Sequence, residues 1–263
     1  MRGSIRLVGK ASLLAALVVN IAMTAEVVPS AGCFFQFSFD NQTMARDQGN
    51  ILMNATGTNT SYFQGRLLAG DFAAKFNGTN SYIWIGQTNG APNPGITLNT
   101  TFSVWFKRAT STATGEIACR PWQDMFGGTA IARTGFRMYI KSNDTVCVEV
   151  PNLSDNILAS LKKKMVPDTE WHHIAFTYKY DPFVNILIHN NFLQAYLDGE
   201  PFGTGLSWSA RTTENSYDGI ALGAFDMFTP TLSFSPMPGT HFNGLIDNPC
   251  LYNRVMTKAG IDT

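Results

Sequence analysis

The sequence predicts an all-β protein, a two-sheet antiparallel sandwich in a single domain. Three observations lead there. About a dozen short segments alternate apolar and polar residues, with turn signals every eight to fifteen residues between them. Helical periodicity is almost absent. The stretch Trp171–Glu200 reads as a central hairpin: WHHIAFTY alternates with period two, and LQAYLDGE answers it with Leu193, Ala195 and Leu197 on one face. Asp198-Gly199 supplies the small pair, tolerant of positive φ, that a tight turn needs.

The remaining elements follow in order. Cys33–Asp40 is a first strand with Phe35, Phe37 and Phe39 on one face and Phe34, Gln36 and Ser38 on the other. The polar stretch Asn41–Gly70 reads as a long surface loop with at most a short strand near Tyr62-Phe63. Asp71–Phe76 and Ser81–Gly86 are strands joined by a turn at Asn77-Gly78, and Gln87–Gly95 is a Pro/Gly loop. Thr101–Arg108 puts Phe102, Val104 and Phe106 on one face and Ser103, Trp105 and Lys107 on the other. Ala109–Gly128 is the least regular region. Strands resume at Thr129–Arg133, Phe136–Lys141 and Thr145–Val150, and Asn152–Lys164 fits either a short amphipathic helix or another strand. After the central hairpin come Pro201–Leu206, a loop with Trp208, a strand at Gly219–Ala224, a Pro-rich excursion through Met237, and a last strand from Asn243 to Arg254. No linker divides the chain and no internal repeat is present, so it reads as one domain over residues 33–263.

Composition bounds the function. Of 263 residues 44% are apolar, enough for a real core, and only 14% are charged, with Ser, Thr, Asn and Gly abundant, which suits an extracellular β protein. Formal net charge is zero and the one basic run is Lys162–Lys164, so nucleic-acid binding by electrostatics has no support. Residues 1–32 read as a secretory signal segment: Arg2, Arg6 and Lys10 precede an apolar run from Ala11 to Met23 that is too short to span a bilayer. The expectation is a secreted, extracellular or cell-surface protein with no transmembrane span in the mature chain.

Four cysteines in such a chain imply two disulfides, and three pairings can be drawn. Cys33–Cys250, tying the two ends, and Cys119–Cys147, closing the middle, are favoured. Sequons begin at Asn41, Asn54, Asn59, Asn77, Asn99, Asn143 and Asn152, as in a glycoprotein.

The motifs FD at 39–40, KFNGTNSYI at 75–83, FSVWFK at 102–107, WHHIA at 171–175, AYLDG at 195–199, GIALG at 219–223, GLID at 244–247 and LYNR at 251–254 occur in that order. Together they resemble the laminin-G-like group of the concanavalin A-like lectin/glucanase superfamily, with pentraxins as relatives, over nearly all of residues 34–263. The resemblance implies a jelly roll whose first and last strands are neighbours, which supports the Cys33–Cys250 pairing. It implies that the pair His172-His173 is a structural signature. On a strand the two rings point to opposite faces and cannot chelate one ion. Trp171 is expected to fill the core.

Many relatives bind calcium, which takes oxygen ligands. The candidates here are Asp40, Asn77, Asn80 and Asp247, although relatives often carry acidic residues where Asn77 and Asn80 stand. Glucanases of the superfamily carry alternating carboxylates, E-x-D-x-x-E. This chain has none, its glutamates at 116, 149, 170, 200 and 214 are isolated, and no other catalytic motif is present, so no enzyme is expected. Trp122 and Trp208 are candidate loop platforms for a sugar ring. The expected function is a non-catalytic binding or adhesion module for glycans or extracellular proteins, acting through the loops 41–70, 109–128 and 225–240. The alternatives are a self-assembling structural subunit of an extracellular coat, matrix or filament, and a glycoside hydrolase with non-standard carboxylates.

Overall fold

The computed structural model describes residues 33–44, 48–49, 53–67, 69–87, 99–120, 135–151, 158–179, 191–208, 219–225 and 238–261. The signal segment, Trp122, Asn152 and the strand expected at 129–133 lie outside them. Among the described residues the strands are β1 (Cys33–Gln36), β2 (Gln48–Gly49), β3 (Met53–Thr58), β4 (Ser61–Gln64), β5 (Phe72–Asn77), β6 (Tyr82–Gln87), β7 (Asn99–Arg108) and β8 (Gly115–Arg120). They continue as β9 (Phe136–Ile140), β10 (Thr145–Pro151), β11 (Leu158–Lys164), β12 (Trp171–Lys179), β13 (Asn191–Leu197), β14 (Glu200–Trp208), β15 (Ile220–Leu222) and β16 (Asn243–Tyr252). A short helix, α1 (Lys258–Ile261), follows β16.

The strands form two antiparallel sheets, a jelly-roll sandwich. One runs β14-β13-β12-β7-β16-β1-β2, with β5 and β4 attached beside β16; the other runs β11-β10-β9-β8-β15-β6-β3. The inner faces meet in one core. Phe35, Phe37, Phe102, Val104, Phe106, Ile174 and Phe176 from the first sheet pack on Ile83, Ile117, Phe136, Met138 and Val148 from the second. At roughly 25 cal/mol per Å² of apolar surface buried, a core of this size is the main favourable contribution to folding.

The central hairpin forms as the alternation predicts. β12 pairs with β7 from Trp171↔Lys107 to Lys179↔Asn99, and with β13 from Ile174↔Leu197 onward. Asp198 (φ 53) and Gly199 (φ 73) both take positive φ, the backbone of the two-residue turn that matches strand twist. The first and last strands are neighbours: Gln36 pairs with Cys250 and Cys33 with Tyr252. β16 is flanked by β7 on one side along its length and, on the other, first by β5 and then by β1. The register breaks at Asp247–Cys250, where Asn248 has a left-handed φ of 46.

Several expectations need correction. The 41–70 segment contains β2 and β3 besides the short strand expected near Tyr62-Phe63, which is β4, and the irregular 109–128 region contains β8, a buried strand inside the second sheet. Of the two readings open for 152–164, the strand holds over Leu158–Lys164. Trp171 is half-buried and stands opposite Lys107 on the outer face, because the even-numbered residues of β12 carry its inward parity. Cys119 and Cys147 do not bridge. They sit on β8 and β10 with β9 between them, opposite Arg137 and Tyr139. Two inter-strand spacings, roughly 9.5 Å, exceed the reach of a disulfide, about 7 Å between Cα atoms. Cys119 Sγ instead lies 3.4 Å from the carbonyl of Ala224. The β1–β16 pairing brings the backbones of Cys33 and Cys250 onto adjacent strands; the Cys33 side chain lies outside the described residues.

Candidate functional site

The outer face of the first sheet carries a hollow of about 320 Å³. Its floor comes from three strands in register, with Gln36 on β1 beside Cys250 on β16 beside Ser103 on β7. Small side chains in this row leave the space, and larger ones on either side wall it. Trp105 and His173 stand on one side, Tyr252 and Met256 on the other. The Asp198-Gly199-Glu200 turn and Asn248 at the β16 bulge also line it.

Each wall is held by identifiable contacts. Trp105 lies 4.8 Å from the His173 ring, centroid to centroid, and carries the Arg66 guanidinium 4.0 Å from its own centre. Arg66 Nε donates to Asp247 Oδ2 at 3.3 Å. Burial pushes the Asp247 carboxyl up to about 8, against the pull of Arg66. Burial, then the Arg66 charge, push His173 down to about 4, so its ring is neutral at physiological pH. On the opposite wall the C-terminal segment folds back over the sheet. Thr101 Oγ1 donates to the Arg254 carbonyl at 2.7 Å and accepts the Met256 N–H at 2.9 Å. Met256 and Ile261 pack on Ala175, Cys250 and Tyr252, and Lys258 Nζ donates to Glu200 Oε1 at 2.9 Å.

The chemistry of the hollow is polar and mostly neutral. Gln36 is only 6% exposed, and its Oε1 is buried with no hydrogen-bond partner. An unsatisfied buried acceptor costs roughly 1–3 kcal/mol. It is therefore poised to accept from a ligand hydroxyl or N–H. Ser103, Asn248 and Asp198 add polar groups around it.

The sequence-predicted candidates lie elsewhere. The expected calcium set does not come together. Asp40 Oδ1 accepts the Phe72 N–H at 3.2 Å, at the start of β5, whereas Asn77 ends that strand, roughly 17 Å away at five strand residues. Asn77 Oδ1 is already taken by the N–H groups of Thr79, Asn80 and Ser81 at 2.9, 3.0 and 3.2 Å, and its Nδ2 donates to Asn80 Oδ1 at 2.8 Å. This is a self-capped Asx turn. Asp247 is buried against Arg66. These residues do not fit a shared calcium ion. Trp208 belongs to β14 rather than to a loop, and its side chain lies outside the described residues. The sequon asparagines Asn41, Asn54, Asn59, Asn77, Asn99 and Asn143 are all exposed.

The glutamates are less isolated than the sequence implies. Glu116 on β8 and Glu149 on β10 flank β9 on the outer face of the second sheet. Arg137 donates to both oxygens of Glu116, at 3.3 and 2.8–3.2 Å, while Tyr139 and Ser160 donate to Glu149 Oε1 at 2.8 and 2.9 Å. Burial pushes Glu116 up to about 7 despite Arg137. Both carboxylates are buried, at 1% and 6% exposure.

Two sheets, an end-strand junction and a lined hollow on the outer face define a jelly-roll sandwich of the lectin-like type. The chain belongs to the laminin-G-like family described as the concanavalin A-like lectin/glucanases superfamily, whose model matches residues 77–262. No curated protein matches it in sequence. Among solved structures it is similar to the binding domain of Paraclostridial Mosquitocidal Protein 1 (TM-score 0.56, 13% identity, 89% of this chain and 51% of that one). It is similar to the binding domain of Botulinum neurotoxin serotype D (TM-score 0.57, 12% identity, 89% and 50%). It is also similar to domain 4 of an extracellular GH43 arabinanase from Geobacillus stearothermophilus, solved with arabinotriose (TM-score 0.50, 19% identity, 88% and 96%). The chain spans about half the length of the two toxin domains. At these identities the likeness is one of fold.

Proposed function

We propose that the protein is a secreted, non-catalytic binding module, and that the hollow beneath its C-terminal segment takes a neutral, hydroxyl-rich ligand, a short stretch of polysaccharide. The observation that carries this is Gln36 Oε1, a buried acceptor without a partner at the floor of a hollow lined by further polar side chains. A sugar hydroxyl would satisfy it, and the apolar flanks of Trp105 and Tyr252 would meet the C–H faces of a ring. The arabinanase domain was solved in complex with arabinotriose, which belongs to this chemical class. The reading moves the contact from the edge loops to the sheet face, and it uses no metal.

The non-catalytic part rests on the carboxylates. Among the described glutamates, Glu116 and Glu149 are the pair that the second sheet places near each other. Both are buried and engaged by Arg137, Tyr139 and Ser160, which leaves no room for water and a glycosidic bond between them.

Titration calorimetry with a panel of neutral oligosaccharides, arabinotriose included, tests the reading. Expected is binding by the native protein, unchanged by EDTA and lost in Gln36→Leu while the melting temperature holds. Equal binding by Gln36→Leu, or no binding to any neutral oligosaccharide, would overturn it.

A further inference from the structure

A second hollow, of about 290 Å³, lies on the same sheet face beyond the Trp105–His173 wall. The register places Lys75 on β5, Leu245 on β16 and Lys107 on β7 side by side in one row, followed by Trp171 on β12. The two lysines therefore stand on either side of Leu245, two strand spacings or roughly 9.5 Å apart at the backbone. Phe63 is 53% exposed, and Lys75 Nζ sits 5.4 Å from its ring centre. Neither lysine is in a salt bridge among the described residues. Arg108, nearby, is committed to Asp144 Oδ1 at 2.8 Å and to the carbonyls of Val166 and Asp168. Among the described residues no carboxylate lines the hollow.

We propose that this second hollow binds a carboxylate-bearing polysaccharide, a uronic-acid chain lying flat across the row, because two uncompensated ammonium groups flank an apolar platform. Lys75 and Lys107 meet carboxylates of the chain across the Leu245 backbone, while the exposed Phe63, on β4 at the outer side of Lys75, meets a ring face. The backbone spacing of the two lysines is of the order of two sugar rings, so alternate residues of the chain are within reach of the two side chains. The contact is electrostatic in origin and weakens with added salt. It is independent of Gln36 and the neutral site.

The experiment titrates the native protein and the Lys75→Gln/Lys107→Gln double variant with an oligogalacturonate, with its methyl ester as a neutral counterpart of the same shape, and with a short polyglutamate. Expected is binding of oligogalacturonate alone, about tenfold weaker for each lysine removed, with an unchanged melting temperature. Phe63→Ser weakens it further, and Gln36→Leu leaves it intact, which separates this site from the neutral one. Binding of the methyl ester as tightly as the acid, no loss in the double variant, or equal binding of polyglutamate would each overturn the proposal. The last would mark the hollow as a site for acidic protein segments.

Discussion

His172 Nδ1 lies 2.8 Å from Asp198 Oδ2, while its Nε2 lies 2.9 Å from Asp168 Oδ1. A neutral imidazole has one N–H, so satisfying both carboxylates requires the imidazolium. The hydrogen bond to Asp198, and then that to Asp168, outweigh burial and raise the pKa of His172. A raised histidine stabilises the fold fully below its unfolded value, near 6.5, and that contribution is lost as pH rises through the folded value. Glu116, at about 7, and Asp247, at about 8, act in the same direction across their own ranges, between the usual carboxylate value and those figures. His173 acts oppositely, losing its contribution as pH falls from about 6.5 toward about 4. The melting temperature is therefore expected to fall between pH 5.5 and 8.5. The difference between native protein and His172→Gln should shrink over that interval; a flat difference would contradict the charged bridge.

Gln36→Leu is expected to keep or raise stability, by about 1 kcal/mol, because it removes an unsatisfied buried acceptor. Denaturant unfolding measures this directly. A loss of 2 kcal/mol or more would show that the carboxamide is satisfied in the folded protein and serves structure rather than a ligand.

Arg66→Met removes the cation beside Asp247 and Trp105. Breaking a buried pair from one side costs about 3–5 kcal/mol, lessened here because Asp247 can take up a proton. The expected signature is a destabilisation that is small at pH 5 and grows toward pH 9, read from urea midpoints. A pH-independent loss would mean that packing on Trp105, not charge, is the larger part.

The C-terminal segment is secured by Thr101 more than by its visible ion pair. Thr101→Val removes two buried hydrogen bonds and should cost about 1–3 kcal/mol. Lys258→Ala disrupts an exposed pair with Glu200, which solvent screening keeps weak. Amide exchange at Met256 should accelerate in the first variant and hold steady in the second.

The framework was legible where one face of a strand is apolar and the other polar. Phe35/Phe37, Phe102/Val104/Phe106 and Ile174/Phe176/Tyr178 all point inward as their alternation requires. β8 escaped notice because both of its faces are buried and a bulge breaks its alternation: Glu116 and Cys119 are enclosed on the outer side while Ile117 and Ala118 lie in the core, so GEIACR shows no polar face. With β8 unseen, Cys119 and Cys147 looked like loop partners. The parity of β12 already implied that Trp171 faces outward, but its size argued for the core. The floor of the hollow was hidden for a different reason. Gln36, Ser103 and Cys250 come from three distant segments, and each reads as an ordinary residue on its strand. The available signal was their common parity on strands expected to be neighbours, opposite Phe35 and Phe102.

The most direct test follows the Gln36 side-chain amide by 15N-edited NMR while a neutral oligosaccharide is titrated into the protein. The account predicts that its resonances move with those of the Asn248 side chain and the His173 backbone, at one common affinity. Saturable binding that shifts loop resonances and leaves Gln36 unmoved would contradict it.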